Sequence, residues 1–137
     1  MSTNNSLAAR LKRLGRMAKV DLRSLRTLTM EPWVRDAEYA ERCVNVLCVC
    51  YGDGGMPRLA CGATALLSEH PAGSASAAPV ASAVARVLAV MTRAELADCL
   101  STGLDAELAQ MHEVRGARLD ISLFRTAVIA ALATVRT

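Results

Sequence analysis

Aromatic residues are nearly missing from this chain: one Trp, two Tyr and one Phe among 137 residues, although 53% of the sequence is hydrophobic. Any core must therefore be assembled from Ala, Val, Leu, Met and Cys, a composition that suits close-packed helices. The apolar content argues against wholesale disorder. Long apolar runs are missing too. The longest, around Val46–Tyr51 and Ala127–Ala133, fall far short of the ~20 residues that cross a bilayer. No charged stretch followed by an apolar one marks a secretory leader. The chain is expected neither to span a membrane nor to be secreted. Cys43, Cys48, Cys50, Cys61 and Cys99 make an odd count, which favours a reducing, cytoplasmic compartment over a disulfide framework.

Motifs that announce chemistry are also lacking. His112-Glu113 begins the metalloprotease pattern, but no second histidine follows four residues on. The stretch YGDGGMPR, from Tyr51 to Arg58, has glycines that could admit an anion. It lacks the Gly-Lys-Ser/Thr ending of a phosphate loop and the alternating oxygens of a calcium loop, so it reads as a tight turn. Cys48 and Cys50 are separated by one residue, where structural zinc pairs have two to four, and on a helix their side chains diverge by about 200°. Adding Cys43, Cys61 or His70 supplies ligand types without a recognised spacing. The thiols are expected to act as small hydrophobes in the core, with no metal and no cofactor. Ser68, His70 and Asp53 have the residue types of a hydrolytic triad, but nearness in sequence is not geometry. The chain is therefore read as a non-enzyme.

What is present is charge, unevenly placed. The formal net charge is +3, yet residues 1–28 hold seven Lys and Arg against Asp21 alone, while the remainder holds nine against twelve carboxylates. At about 100° per residue, Leu7, Leu11, Leu14, Ala18, Leu22 and Leu25 fall on one narrow stripe. Lys12, Arg16, Lys19, Arg23 and Arg26, spaced 4-3-4-3, fall on a second stripe roughly opposite the first. This predicts a basic amphipathic helix over residues 6–28, capped by Asn5 or Ser6 and preceded by a flexible terminus at 1–5. Gly15 weakens that helix by ~1 kcal/mol relative to Ala without breaking it.

Further along, Glu31-Pro32 marks a boundary and a fresh helix start, and Glu38 with Arg42 forms a favourable pair four residues apart. VNVLCVCY, Val44 to Tyr51, has the β-branched residues of a buried strand. Helix formers lead straight into it, however, and Gly52 stands where a helix terminus expects glycine, so helix is the stronger reading. Pro57 opens a helix through Leu67, residues 70–79 form a loop, and Val80, Val84, Val87, Leu88 and Met91 mark another apolar helical face. Thr92 with Glu95 is a capping box, Thr102 with Asp105 a weaker one, and Asp120 caps the final segment ISLFRTAVIAALATVR. That segment is apolar on nearly every side, which places it at the centre of a domain or in a subunit interface. Trp33, Tyr39 and Phe124 read as core wedges. The expected fold is all-α: one compact domain over residues 1–137, a bundle of about five to seven helices that buries about two-thirds of its unfolded surface.

The basic stripe is the strongest functional signal. Its cations form a ladder ~20 Å long, able to lie along phosphates. Like charges four residues apart repel, and an anionic partner relieves them. The expected function is non-catalytic, largely sequence-independent binding of RNA or DNA by a self-associating protein of nucleocapsid or accessory type. Lys12, Arg16, Lys19, Arg23 and Arg26 would contact phosphates, with Arg10 and Arg13 flanking them. The alternatives are a peripheral, matrix-like protein that lays this helix on an acidic membrane surface, and an adaptor whose leucine stripe enters a partner's groove. A basic face that meets only water, or the acidic remainder of the same molecule, is the plain reading beside them.

Overall fold

Leucine, valine and alanine recurring every three to four residues bury best as helices laid side by side. The computed structural model describes residues 6–18, 36–52, 55–70, 73–115 and 120–135. Among them are seven α-helices and no strand: α1 (Leu7–Met17), α2 (Asp36–Val46), α3 (Met56–Glu69), α4 (Ala77–Leu88), α5 (Arg93–Asp98), α6 (Thr102–Arg115) and α7 (Ile121–Thr134). The all-α bundle expected from composition is the fold that forms.

The broadest pairing joins α2 to α4. Tyr39, Cys43 and Val44 from one and Val80, Ala83, Val84 and Val87 from the other belong to a single buried cluster. α3 runs against α4, α6 and α7, and it contributes Leu59, Ala60, Cys61, Ala63 and Leu66 to the same cluster. Tyr39 and Phe124 are the largest fully buried side chains, the core wedges that a ring-poor sequence implied. Cys43, Cys48, Cys61 and Cys99 are buried and Cys50 is exposed, all five as free thiols. Burial pushes the Cys43 and Cys99 thiols up to about 12 and Cys48 to about 11. These buried groups are neutral and behave as small hydrophobes.

Several termini are set by the side chains that sequence pattern singled out. Ser6 Oγ accepts the Ala9 N–H at 3.2 Å. In the capping box of α5, Thr92 Oγ1 accepts the Glu95 N–H at 3.2 Å while Glu95 Oε1 accepts the Thr92 N–H at 2.7 Å. Asp120 Oδ1 accepts the Ser122 N–H at 3.0 Å. Each such bond satisfies a donor that the helix itself cannot.

Other details depart from expectation. α1 stops at Met17: Ala18 turns to an extended conformation with ψ 127°, and its N–H closes a tight last turn on the Gly15 carbonyl at 3.3 Å. Residues 19–28, and with them Lys19, Arg23 and Arg26, lie outside the described residues, as do residues 1–5, the Glu31-Pro32 boundary, Trp33 and Asp53. The loop expected to last to residue 79 ends at Ser76, because Pro79 sits inside the first turn of α4, where its missing N–H has no helical partner to lose. α6 is capped by Ser101, whose Oγ accepts the Leu104 N–H at 3.2 Å, rather than by Thr102. Asp105 instead pairs with Arg125 at 2.6 Å. Gly52 keeps right-handed angles, φ −62° and ψ −31°, and so does not make the left-handed cap. VNVLCVCY is helical as expected, but its last five residues, Leu47–Tyr51, widen into a π-turn that continues α2. The wider turn keeps Leu47 and Cys48 in the core and leaves Val49 and Cys50 outside.

Candidate nucleic-acid interface

α1 is held on the bundle by its apolar stripe. Leu11 is 1% exposed, and Leu7, Leu14 and Ala18 pack partly buried against the core. Gly15 is what allows the helix so close to the π-turn: a Cβ there would lie 3.0 Å from Cys48 Cβ and 3.3 Å from Val49 Cγ2. Asn45 Nδ2 donates to the Gly15 carbonyl at 3.2 Å and fixes this crossing. A glycine that looked merely tolerable in the helix therefore eases this contact, where any Cβ would make Cys48 or Val49 give by a few tenths of an ångström.

Arg10 borders the leucine stripe and is turned inward. Its guanidinium donates to the Val90 carbonyl and to Glu95 Oε2, the latter at 2.7 Å. Burial would raise the Glu95 carboxyl, but the Arg10 hydrogen bond, the Thr92 hydrogen bonds and the Arg10 charge together hold it below its ordinary value. The side chains of this pair are only 19% and 23% exposed, and a charge-assisted bond so sheltered contributes about 1.5–3 kcal/mol. Arg10, expected to flank the phosphate ladder, is placed as the clamp that docks α1 onto the turn between α4 and α5.

The remaining cations of α1 have the opposite surroundings. Lys12, Arg13 and Arg16 are exposed. None of the ion pairs among the described residues involves them. Lys12 and Arg16 stand four residues apart at the rim of a recess of about 210 Å³, with Cys48 and Val49 as its apolar side. Val49 is 57% exposed. Arg86, whose charge also acts on the Cys48 thiol, is neutralised by Glu41 at 2.9 Å. Of the ladder, the described residues hold Lys12 and Arg16 at one recess beside the π-turn; of the two flanking arginines, Arg13 is exposed and Arg10 is turned to Glu95. Nothing in the sequence marks Val49 as part of this corner except the glycine that lets α1 approach it.

Two other places hold polar groups or space. His70 Nε2 lies 3.3 Å from the Tyr39 hydroxyl, and its Nδ1 pairs with Ser76 Oγ. Burial first, then the nearby Cys43 and Glu69, push the Tyr39 hydroxyl up to about 12, so it is a neutral phenol. Ser68, the serine weighed as His70's partner, instead accepts the Asp120 N–H at 2.9 Å. The histidine therefore joins hydroxyls on α2 and at the start of α4, and this serves to anchor the chain there. Between α4 and α7 lies a groove of about 360 Å³ lined largely by alanines, among them Ala81, Ala85, Ala127, Ala130 and Ala131. Leu123 and Ile129 of α7 are 37% and 57% exposed. Among the described residues no three His, Cys, Asp or Glu side chains converge as metal ligands would, and no helix is long and apolar enough to cross a membrane. Compared with known proteins, the chain matches no family model, no curated protein and no solved structure.

Proposed function

We propose that this chain is a non-catalytic, largely sequence-independent nucleic-acid-binding protein that self-associates, and that the outer face of α1 binds phosphates. One observation carries the reading: Lys12, Arg13 and Arg16 stand exposed and without ion pairs among the described residues, on a helix whose other face is fixed in the core. Cations three and four residues apart on one helix repel one another. The fold holds them together, and phosphates relieve the repulsion by releasing counterions. Lys19, Arg23 and Arg26, outside the described residues, add three further cations to the sequence just beyond α1. Contacts of this kind fix position without reading bases, so affinity depends on salt far more than on sequence. The alanine groove between α4 and α7 is the surface assigned to a second copy of the chain, and the odd number of thiols fits a reducing, cytoplasmic setting.

The acidic-membrane and adaptor readings both need the leucine stripe of α1 to be available. Leu11 is already in the core, which weighs against each of them. The test sets labelled RNA and duplex DNA beside acidic phospholipid vesicles at one ionic strength. It uses the natural chain and a variant with Gln at Lys12, Arg16, Lys19, Arg23 and Arg26. The natural chain is expected to favour the nucleic acids, and the variant to keep its helical circular dichroism but lose binding. Stronger retention on vesicles, or unchanged nucleic-acid affinity in the variant, would defeat the proposal.

A further inference from the structure

The recess beside α1 adds something that a row of cations alone would not. Its volume, about 210 Å³, is below the ~300–1,000 Å³ of pockets that enclose drug-sized ligands, so it suits one flat heterocycle rather than a whole cofactor. Two cations, Lys12 and Arg16, stand at its rim, and Cys48 with the exposed Val49 supplies an apolar wall. That wall belongs to a π-turn, a helical irregularity found frequently at functional sites. Gly15 brings α1 against it, so the charged and apolar sides of the recess meet within one helix crossing.

We infer that this recess receives an unstacked base of a single-stranded nucleic acid, while the phosphates on either side of that base rest on Lys12 and Arg16. The inference rests on the nucleic-acid reading above and narrows it to single strands. In a duplex the bases are stacked inside and leave only phosphates for a basic helix to touch. A single strand can turn a base outward into an apolar recess, and a guanidinium plane can cover its face. The usual aromatic platform is replaced here by the apolar wall of Cys48 and Val49.

The experiment is fluorescence anisotropy on the full chain at one salt concentration, with a labelled single-stranded oligonucleotide, the same strand carrying abasic sites, and a duplex of equal length. Electrostatics alone favours the duplex, because its charge density is higher. The expected result is that the single strand binds more tightly than the duplex, and that removing bases weakens binding about fivefold, the low end for a stacked base. Val49→Ser leaves every cation in place at an exposed position. It should abolish both the single-strand preference and the abasic penalty without changing the salt dependence. Equal binding of intact and abasic strands, or preference for the duplex, would overturn the recess while leaving phosphate binding intact. Val49→Ser behaving like the natural chain would do the same. Binding of none of the three probes would remove the nucleic-acid reading and this inference together.

Discussion

Two of the hollows among the described residues make opposite use of their space. The larger, about 360 Å³ between α4 and α7, is walled by alanines and a few larger apolar groups, with Thr134 the only polar side chain that lines it among the described residues. The smaller, about 210 Å³ beside α1, carries Lys12 and Arg16 at its edge. Size favours the first as a site, and chemistry favours the second. A binding hollow needs a few convergent polar groups to orient what enters it, and the alanine groove has nothing to orient a ligand. Its exposed apolar area gains only by being covered. The corner of α1 keeps like charges together against their own repulsion. The fold spends Glu95 on Arg10 and Glu41 on Arg86, and none of its ion pairs among the described residues reaches Lys12, Arg13 or Arg16.

Stability measurements can separate these regions. The largest effect is expected from Phe124→Ala, which empties the core beneath α7 and should lower stability by about 3–5 kcal/mol in urea unfolding. The folded fraction should keep its nucleic-acid affinity, since α1 is not touched.

Arg10→Gln should cost about 1.5–3 kcal/mol by removing the clamp on Glu95. It should also change the acid limb. Glu95 titrates below its ordinary value in the fold, so the stability it contributes is present above the unfolded carboxylate pKa of ~4.3 and is lost as pH falls through the folded value. Repeating the unfolding curves from neutral pH downward should show that component in the natural chain and a smaller one in the variant, where the Thr92 hydrogen bonds remain.

Gly62→Ala should cost about 1–3 kcal/mol, because the added Cβ would sit 2.6–2.9 Å from ring carbons of Tyr51 and force the end of the π-turn to move. A change in the single-strand preference alongside that loss would tie the π-turn to the recess. The smallest effect on stability, within about 0.5 kcal/mol, is expected from Ala130→Leu at the exposed edge of the alanine groove. In sedimentation this substitution should weaken self-association. An unchanged oligomeric state would mean that the groove is not the contact between copies.

The bundle was legible in the sequence because local rules agreed with one another: leucine and valine periodicity, the Thr92–Glu95 capping box and the Asp120 cap each led to a helix that forms. Boundaries failed where a local signal had two readings. Pro79 looked like the flank of a loop but serves within a first turn, and Thr102 looked like a cap although its neighbour Ser101 does the work. The π-turn at Leu47–Tyr51 had no signature in the sequence; in the fold that stretch packs against α1 and α3, far from it in the chain or beyond a turn. The basic stripe could be read from spacing, but the separate placement of Arg10 could not. Whether a cation at the border of an apolar stripe faces water or a carboxylate is decided by a residue 85 positions away.

The most direct measurement is the salt dependence of nucleic-acid affinity for the natural chain and for a variant with Gln at Lys12, Arg13 and Arg16, each checked by circular dichroism. Each phosphate contact contributes about 0.9 to the slope of log K against log salt for a duplex and about 0.7 for a single strand. The variant should therefore remain folded, bind much more weakly, and lose about 2–3 from the magnitude of that slope. A folded variant with the slope and affinity of the natural chain would contradict the assignment of this face of α1 to phosphates.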